Sequence, residues 1–406
     1  MLTFADTLTE QKNTHMTHIE DKVLYGGVNG TRQAIFALRD MRDMLSGGGG
    51  SVSVKWDGAP AVFAGTDPRD GQFFVAKKGI FNKNPKVYKT NAEIDADTSG
   101  DLSAKLKDAL KYLPALGIKG VIQGDFLFGR GDLTTEKIKG KEYVTFHPNT
   151  IVYAVPVEQA ATISKAKIGI VWHTTYTGKT FETMRASYGV DVKGLNKSSA
   201  VWSQDAMLRD VTSATMTKRE TENVNEILSE IGKLFNQISG STIRQLESNQ
   251  VLAQHIETFN NTFVRKGAVI GNEVAHTQQL IRWIRQKYDT EASKRKTAAG
   301  KTTQQKKRDE LLAFFSPRNK KNLSNMFRLQ KLIVLAKLKL INKLNRLQNI
   351  ATFVKTKKGF RVTGAEGFVA VDRLGGDAVK IVDRMEFSYN NFSPNILKGW
   401  DKPTRN

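Results

Sequence analysis

The residues best suited to chemistry lie at four places far apart in the chain. They are Lys55-Trp56-Asp57-Gly58, Asp125 within Gln123-Gly124-Asp125-Phe126-Leu127-Phe128-Gly129, Glu366-Gly367-Phe368-Val369, and Val379-Lys380-Ile381-Val382. A lysine amine is a nucleophile only when neutral, and a second cation such as Lys380 lowers its pKa while screening an anion under attack. Such a set suits covalent capture of a phosphoryl group. Each member also has an ordinary reading. A Lys-x-Asp-Gly string arises by chance about once in ten chains of this length, and Asp57-Gly58 alone reads as a β-turn beside an exposed lysine. Glu366-Gly367 reads equally well as a surface turn, and Lys380 as a solvated strand residue. Asp125 is harder to dismiss, because a carboxylate in an apolar strand needs a partner. The ordered set is less expected by chance than any one member.

Other chemistries find little support. The chain has no cysteine, which excludes disulfides, thiolate catalysis and cysteine zinc sites. Gly26-Gly27-Val28-Asn29-Gly30 lacks a preceding strand and a following Gly-Lys-Ser/Thr, so it is not a convincing nucleotide loop. His15 and His18, with Glu20 and Asp21, have metal-binding residue types but read more simply as a helix surface. No Ser-His-Asp arrangement stands out. No run of about eighteen apolar residues occurs, and the N-terminus does not resemble a signal peptide. A soluble, cytoplasmic monomer without a membrane partner is expected. The net charge is +22 with a pI near 9.9, which points to a polyanionic partner, nucleic acid before membrane.

These residues must be positioned by elements of two kinds. Residues 31–46 have helical apolar spacing and Gly47 as a stop. Strand-like runs follow: SVSV, PAVFAG, QFFVAKK, KGVIQGDFLF, EYVTF, NTIVYAVPV and KIGIVWHTTY. One helix interrupts them near LSAKLKDALKYL, with Asp101 as its expected N-cap and Pro114 as its end. Residues 217–350 read as helix, with a polar, basic linker SKRKTAAGKTTQQKKRDE inside. The β pattern returns in GFRVTGAEGFVAVDR and DAVKIVDRMEF. Between residues 281 and 350 lie 19 Lys and Arg against 4 Asp and Glu, a net +15 of the total +22. The expected division is a helical segment 1–46, a β-rich domain in two parts, 47–204 and 351–406, and a basic helical insertion 205–350. The fold class is α+β with mainly antiparallel sheets, split by a large all-helical insertion.

In the order of these motifs the chain resembles the covalent nucleotidyltransferases: ATP-dependent DNA ligases, RNA ligases and mRNA capping enzymes. The likeness lies in short motifs bracketing residues 55–157 and 360–390. Lys55-Trp56-Asp57-Gly58 resembles the nucleophile motif. Lys77-Lys78-Gly79 sits where the family often has Arg-x-Gly. Gln123–Gly129 resembles the third motif, with Asp125 for the more usual Glu. Tyr153 falls where an aromatic residue stacks on the base, although a strand aromatic more often packs in the core. Glu366–Val369 resembles the fourth motif and Val379–Val382 the fifth. The string Lys55–Pro60 is also similar to one carried by tailed-phage proteins. The resemblance implies a nucleotidyltransferase (ligase adenylation) domain and an ATP-derived lysyl-AMP on Lys55, with Lys380 assisting. It implies nucleotide contacts from Asp57, Gly58, Lys77, Asp125, Tyr153, Glu366 and Lys380, and Mg²⁺ (or Mn²⁺) held by Asp125 and Glu366.

The pattern is broken in places. Pro60 replaces a polar residue of the first motif, and Val382 replaces the second lysine of the fifth, for which Arg384 is a candidate substitute. Only 22 residues follow Arg384, too few for the β-barrel that follows the fifth motif in DNA ligases and capping enzymes. The helical insertion is the expected duplex clamp instead, with Lys294, Arg295, Lys296, Lys306, Lys307 and Arg308 on phosphates. The resulting expectation is an ATP-dependent polynucleotide ligase acting on duplex DNA nicks or ends, as in DNA repair. An RNA ligase, an RNA-capping guanylyltransferase and a non-catalytic nucleic-acid-binding protein on a ligase scaffold are the alternatives.

Overall fold

The computed structural model describes residues 17–48, 52–129, 131–208, 216–347, 350–371 and 378–399. Helix α1 (Gly27–Asp43) buries Ala34, Ile35, Leu38 and Met41 at helical spacing. It begins inside the glycine run 26–30 and ends in the turn Met44–Gly48, where Gly47 takes φ 101°.

The first β-rich stretch contains β1 (Val52–Lys55), β2 (Ala61–Thr66), β3 (Phe73–Ala76), α2 (Asn91–Asp97), α3 (Gly100–Tyr112) and β4 (Val121–Phe128). It continues with β5 (Thr134–Ile138), β6 (Lys141–Phe146), β7 (Ile151–Pro156), β8 (Ile168–Thr177), β9 (Arg185–Tyr188), β10 (Val201–Asp205) and β11 (Met207–Leu208). Helix α2 was not anticipated. It starts at a capping box in which Thr90 accepts from the Glu93 N–H and Glu93 reaches back to the Thr90 N–H. Ser99 is the N-cap residue of α3, so Asp101 lies in its first turn, and a 3₁₀ turn carries the chain past Pro114 to Gly117.

Six helices follow: α4 (Lys218–Gln237), α5 (Gly240–Ser248), α6 (Gln250–Arg265), α7 (Glu273–Ser293), α8 (Ala298–Leu312) and α9 (Pro317–Leu344). Most of the segment expected as a basic linker is α8. Thr297 caps it by accepting from the Gly300 N–H, and its Lys, Gln and Arg are good helix formers. Only Leu311 of α8 is buried, so apolar periodicity gave no sign of it. The chain then forms β12 (Ala351–Thr356), β13 (Gly359–Val362), β14 (Gly367–Val371), β15 (Ala378–Ile381), α10 (Arg384–Phe392) and β16 (Ile396–Leu397).

The described strands form three sheets. One has the order β11-β1-β14-β15, and one β10-β8-β4-β2-β3 with β9 on β8. The third has the order β13-β12-β7-β6-β5 with β16 on β12. All pairs are antiparallel except β8 with β10. The chain is thus mixed α+β, with mainly antiparallel sheets and a helical region between two β-rich stretches.

The helices do not keep a core to themselves. Val224, Leu228, Phe327 and Leu340 share one apolar cluster with Leu24 and Leu38, with Val52 and Val54 of β1, with Phe368 of β14, and with Val379 and Ile381 of β15. Segments distinct in sequence are therefore joined in space, with one face of the first sheet as the floor of the helical bundle. Helix α9 runs along this bundle, starting at Pro317 after the Ser316 cap. Helix α4 is antiparallel to it, with Glu220 on Lys343 (2.7 Å) and Glu230 on Arg328 (2.6 Å). Helix α7 is antiparallel too, with Glu273 on Lys331 (3.3 Å) and Thr277 on Ser324 (2.9 Å). The end of α7 therefore overruns the start of α9, and α8 folds back along it, with Arg308 on Asp289 (2.5 Å). Among the described residues no helix is long and apolar enough to cross a membrane.

Candidate active site

Lys55 ends β1. Alternation puts Val52 and Val54 toward the helices and Lys55 on the opposite face. β1 pairs with β14, Lys55 opposite Gly367, and β14 pairs with β15, Val369 opposite Lys380. Val379 and Ile381 face the helices, so Lys380 shares the face of Lys55. Three motifs spread over more than three hundred residues thus become adjacent strands. Glu366, just before β14, forms an ion pair with the Lys55 ammonium. The Glu366 side chain is 11% exposed and that of Lys55 30%. Gly367 must lack a side chain here, because a Cβ would lie 2.3 Å from Val382 Cγ2. Val382 itself is fully buried, so the place of the missing second lysine faces the core.

The electrostatics tie the three charged groups together. Burial raises the Glu366 carboxyl pKa, with Asp57 adding to the effect, while Lys55 and Lys380 oppose it. Burial lowers the Lys380 ammonium pKa, and the charges of Lys55 and Arg384 lower it further.

The nucleophile motif turns from β1 toward the second sheet. Ala59 N donates to Phe126 O and Phe126 N to Pro60 O, both at 2.9 Å. A Cβ on Gly58 would lie 2.6 Å from Asp125 Cβ. Only glycine lets the turn approach Asp125 so closely. Lys55–Gly58, Asp125, Glu366 and Lys380 are therefore neighbours.

Three expected nucleotide contacts are engaged otherwise. Tyr153 is 3% exposed and stacks with Trp56 (4.8 Å between centroids) and Phe146 (5.2 Å). Its hydroxyl accepts from the Asp57 N–H at 2.7 Å. It is a core residue holding the motif turn and has no free face for a base. Asp57 is also buried. Its carboxylate accepts from Asn149 Nδ2 (2.7 Å) and the N–H groups of Thr150 (2.6 Å) and Ile151 (2.8 Å). It therefore fastens the turn to the start of β7 and does not face a nucleotide. Lys77 pairs with Asp97 (3.0 Å) and lies over the Tyr88 ring, at the edge of the second sheet. Among the described residues it shares no partner with Lys55, Glu366 or Lys380.

Arg384 is engaged elsewhere and does not take the place of the second lysine. Its guanidinium donates to Asp21 (2.8 Å), approaches Glu20 (3.5 Å) and bonds Asn261. Glu20 also holds Lys337 of α9 at 2.8 Å, and the Lys337 side chain is only 1% exposed. Burial alone would raise the Glu20 carboxyl, but Lys337, with His18 and Arg384, holds it down to about 2. This buried network joins the segment before α1, the bundle and the start of α10. Lys380 is attached to the same place, since Lys380 N donates to Thr17 O and His18 pairs with it as a β-bridge. Glu20 and Asp21 are thus committed to ion pairs, and His15 lies outside the described residues. No group of three or more His, Asp or Glu side chains converges as a metal site among those described.

His173 escaped the sequence reading. Gln123 pairs with Thr174 and Gly124 with Trp172, so His173 is the extra residue of a β-bulge in β8. The bulge re-aims its ring, and Nε2 lies 3.7 Å from Asp125 Oδ2. A Cβ on Gly124 would lie 2.3 Å from Val171 O, so the bulge requires glycine opposite it. The available signal was a histidine interrupting the apolar run of β8.

The basic residues expected on nucleic acid cluster at the α7–α8 hairpin. Lys294, Arg295 and Lys296 are exposed at its tip, and Lys306, Lys307 and Arg308 follow on α8. Arg308 pairs with Asp289 and Asp309, Lys294 with Glu291 (2.9 Å), and Lys306 approaches Glu310 (4.0 Å). Arg295, Lys296 and Lys307 have no ion pair among the described residues.

No curated protein and no solved structure matches the chain. With a match over residues 13–396, nearly its whole length, the chain belongs to the family described as "Family of unknown function (DUF6267)".

Proposed function

We propose that the protein is a covalent nucleotidyltransferase, an ATP-dependent polynucleotide ligase acting on nicks or ends of duplex DNA. The observation that carries this reading is the first sheet. It sets Lys55 against Glu366 and beside Lys380, with Asp125 next to the motif turn. Neutral Lys55 Nζ attacks the α-phosphorus of ATP. The P–N bond forms, the bond from the α-phosphorus to the bridging oxygen breaks, and pyrophosphate leaves while the amine proton passes to solvent. A 5′-phosphate oxygen then displaces Lys55, and a 3′-hydroxyl finally displaces AMP. Each step is phosphoryl transfer, so positioning and charge neutralisation supply most of the catalysis.

Lys380 lies on the same face of the sheet as Lys55, where its charge would screen the phosphate under attack. Asp125 and Glu366 would hold Mg²⁺. A magnesium ion on a nucleotide takes one or two carboxylates, and the contact on Glu366 Oε2 leaves its second oxygen for a cation. The metal would supply neutralisation of phosphate charge.

Intact mass after incubation with Mg²⁺ and ATP tests the reading. An AMP adduct that disappears in Lys55→Ala is expected. A GMP adduct from GTP would assign RNA capping, and no adduct with either nucleotide would leave a non-catalytic nucleic-acid-binding protein. Nicked DNA, a nicked RNA–DNA hybrid and single-stranded RNA then separate DNA ligase from RNA ligase.

A further inference from the structure

We propose that a cleft at the root of the helical region, between the first turns of α4 and the last turns of α9, binds the phosphate backbone of the polynucleotide. The inference rests on the polynucleotide reading above and names a second contact surface for it.

The cleft has a volume of about 320 Å³, within the range of ligand-binding clefts. Its floor is Met216 and Val224, and its walls carry Arg219, Lys339, Lys343 and Arg346. One carboxylate, Glu220, faces these four cations. It is already occupied by Lys343 at 2.7 Å and by the Thr217 N–H (2.8 Å) and hydroxyl (2.9 Å) of its capping box. Arg219, Lys339 and Arg346 have no ion pair or hydrogen bond from their side chains among the described residues. Lys339 is half-buried, so water compensates its charge less well than that of a surface lysine. In the middle of α9 the cations are matched, Arg328 by Glu230, Lys331 by Glu273 and Lys337 by Glu20, whereas Lys320 and Lys321 near its start are exposed to water. Gathered like charges repel, and an arriving anion relieves the repulsion.

The lining also favours one form of phosphate. Asn223 and Asn342 add amide donors to the cations, a set suited to phosphodiester oxygens. Among the described residues no aromatic ring lines the cleft, so none of them would stack on a base. Backbone phosphates satisfy such a surface, whereas a free nucleotide would leave its base without a platform. The place in the fold agrees. Met216 N donates to Leu45 O at 2.6 Å, and β11, just upstream, pairs with β1, the strand that ends at Lys55.

The test uses the full chain and a fluorescein-labelled nicked duplex, with fluorescence anisotropy read over a series of KCl concentrations. In Arg219→Gln/Arg346→Gln both changes are at exposed positions, and thermal melting checks that the fold is kept. We expect about a tenfold weaker Kd at 0.1 M salt and a salt slope about 2 smaller in magnitude, from two lost phosphate contacts. Lys339→Gln should weaken binding in the same direction. Unchanged Kd and slope in the double variant would overturn the proposal. So would an unchanged duplex affinity combined with weakened binding of ATP or tripolyphosphate, which would assign the cleft to a free nucleotide. Absence of duplex binding by the wild-type chain would overturn it as well. Anisotropy requires no adenylylation, so the mass-shift experiment on Lys55 succeeds or fails separately.

Discussion

The charges beside Lys380 and the charges on the α7–α8 hairpin follow opposite rules. Around Glu20, Asp21, Lys337 and Arg384 the ions are buried or nearly so, and each faces an opposite charge from another part of the chain. On the hairpin the cations are mostly exposed, and those with partners find them on α7 or α8 themselves. Buried pairs of the first kind are costly to desolvate and add little net stability, yet losing one partner is severe. Their effect is to fix where things are. Exposed cations are cheap to hold and free to meet a polyanion, so their effect is on affinity and salt dependence. The difference assigns positioning to one region and attraction to the other, although both belong to the same bundle.

The sharpest way to break this contrast is Lys337→Met. It should cost about 3–5 kcal/mol in denaturant unfolding, because Glu20 stays buried without its ammonium. A cost below about 1 kcal/mol would place the network among ordinary surface pairs. Next in size is Glu366→Gln, which should slow formation of the AMP adduct by on the order of 10²-fold. An unaltered single-turnover rate would remove Glu366 from the site.

A pH series sharpens the same contrast from within α7. His276, in the buried half of that helix, packs against Phe259, Phe263 and Phe327 and lies 2.8 Å from Asn260. Burial lowers its pKa to about 4, with Glu273 opposing. The unfolded chain therefore takes up this proton first as pH falls. The stability from a neutral His276 is complete above about 6.5 and is lost as pH drops toward 4, by about 1.4 kcal/mol per unit. Relative to wild type, His276→Gln should flatten the stability–pH curve over that window. Parallel curves would show that His276 does not carry the effect. The smallest change is expected from Arg295→Ala/Lys296→Ala/Lys307→Ala on the exposed half. Stability should stay within about 0.5 kcal/mol of wild type, while the salt slope of duplex binding falls by up to about 3.

Much of the fold was legible because it is written in local period. β2, β4, β7 and β8 lie where alternating or continuous apolar runs placed them. Helix α8 was hidden because a helix that buries one side chain leaves no stripe to read. The order of Lys55, Asp125, Glu366 and Lys380 was visible, but their adjacency depends on pairings between β1, β14 and β15 that no local pattern records. Tyr153 shows the same limit from the other side. A strand aromatic can pack or stand open, and the stacking of Trp56 and Phe146 decides it. The bulge at His173 depends on register with β4, and in β8 alone the histidine marks only a break in the apolar run.

Helix α9 has 28 residues, a rise of about 42 Å. The basic cleft lies at its C-terminal end, and the hairpin tip projects past its N-terminal end. On the proposed reading, in which both surfaces hold phosphates, a rigid rod between them is a ruler. At ~3.4 Å per base pair, it spans about twelve base pairs. A duplex shorter than that reaches one end at a time, so affinity should rise steeply with duplex length near one helical turn and level off beyond it.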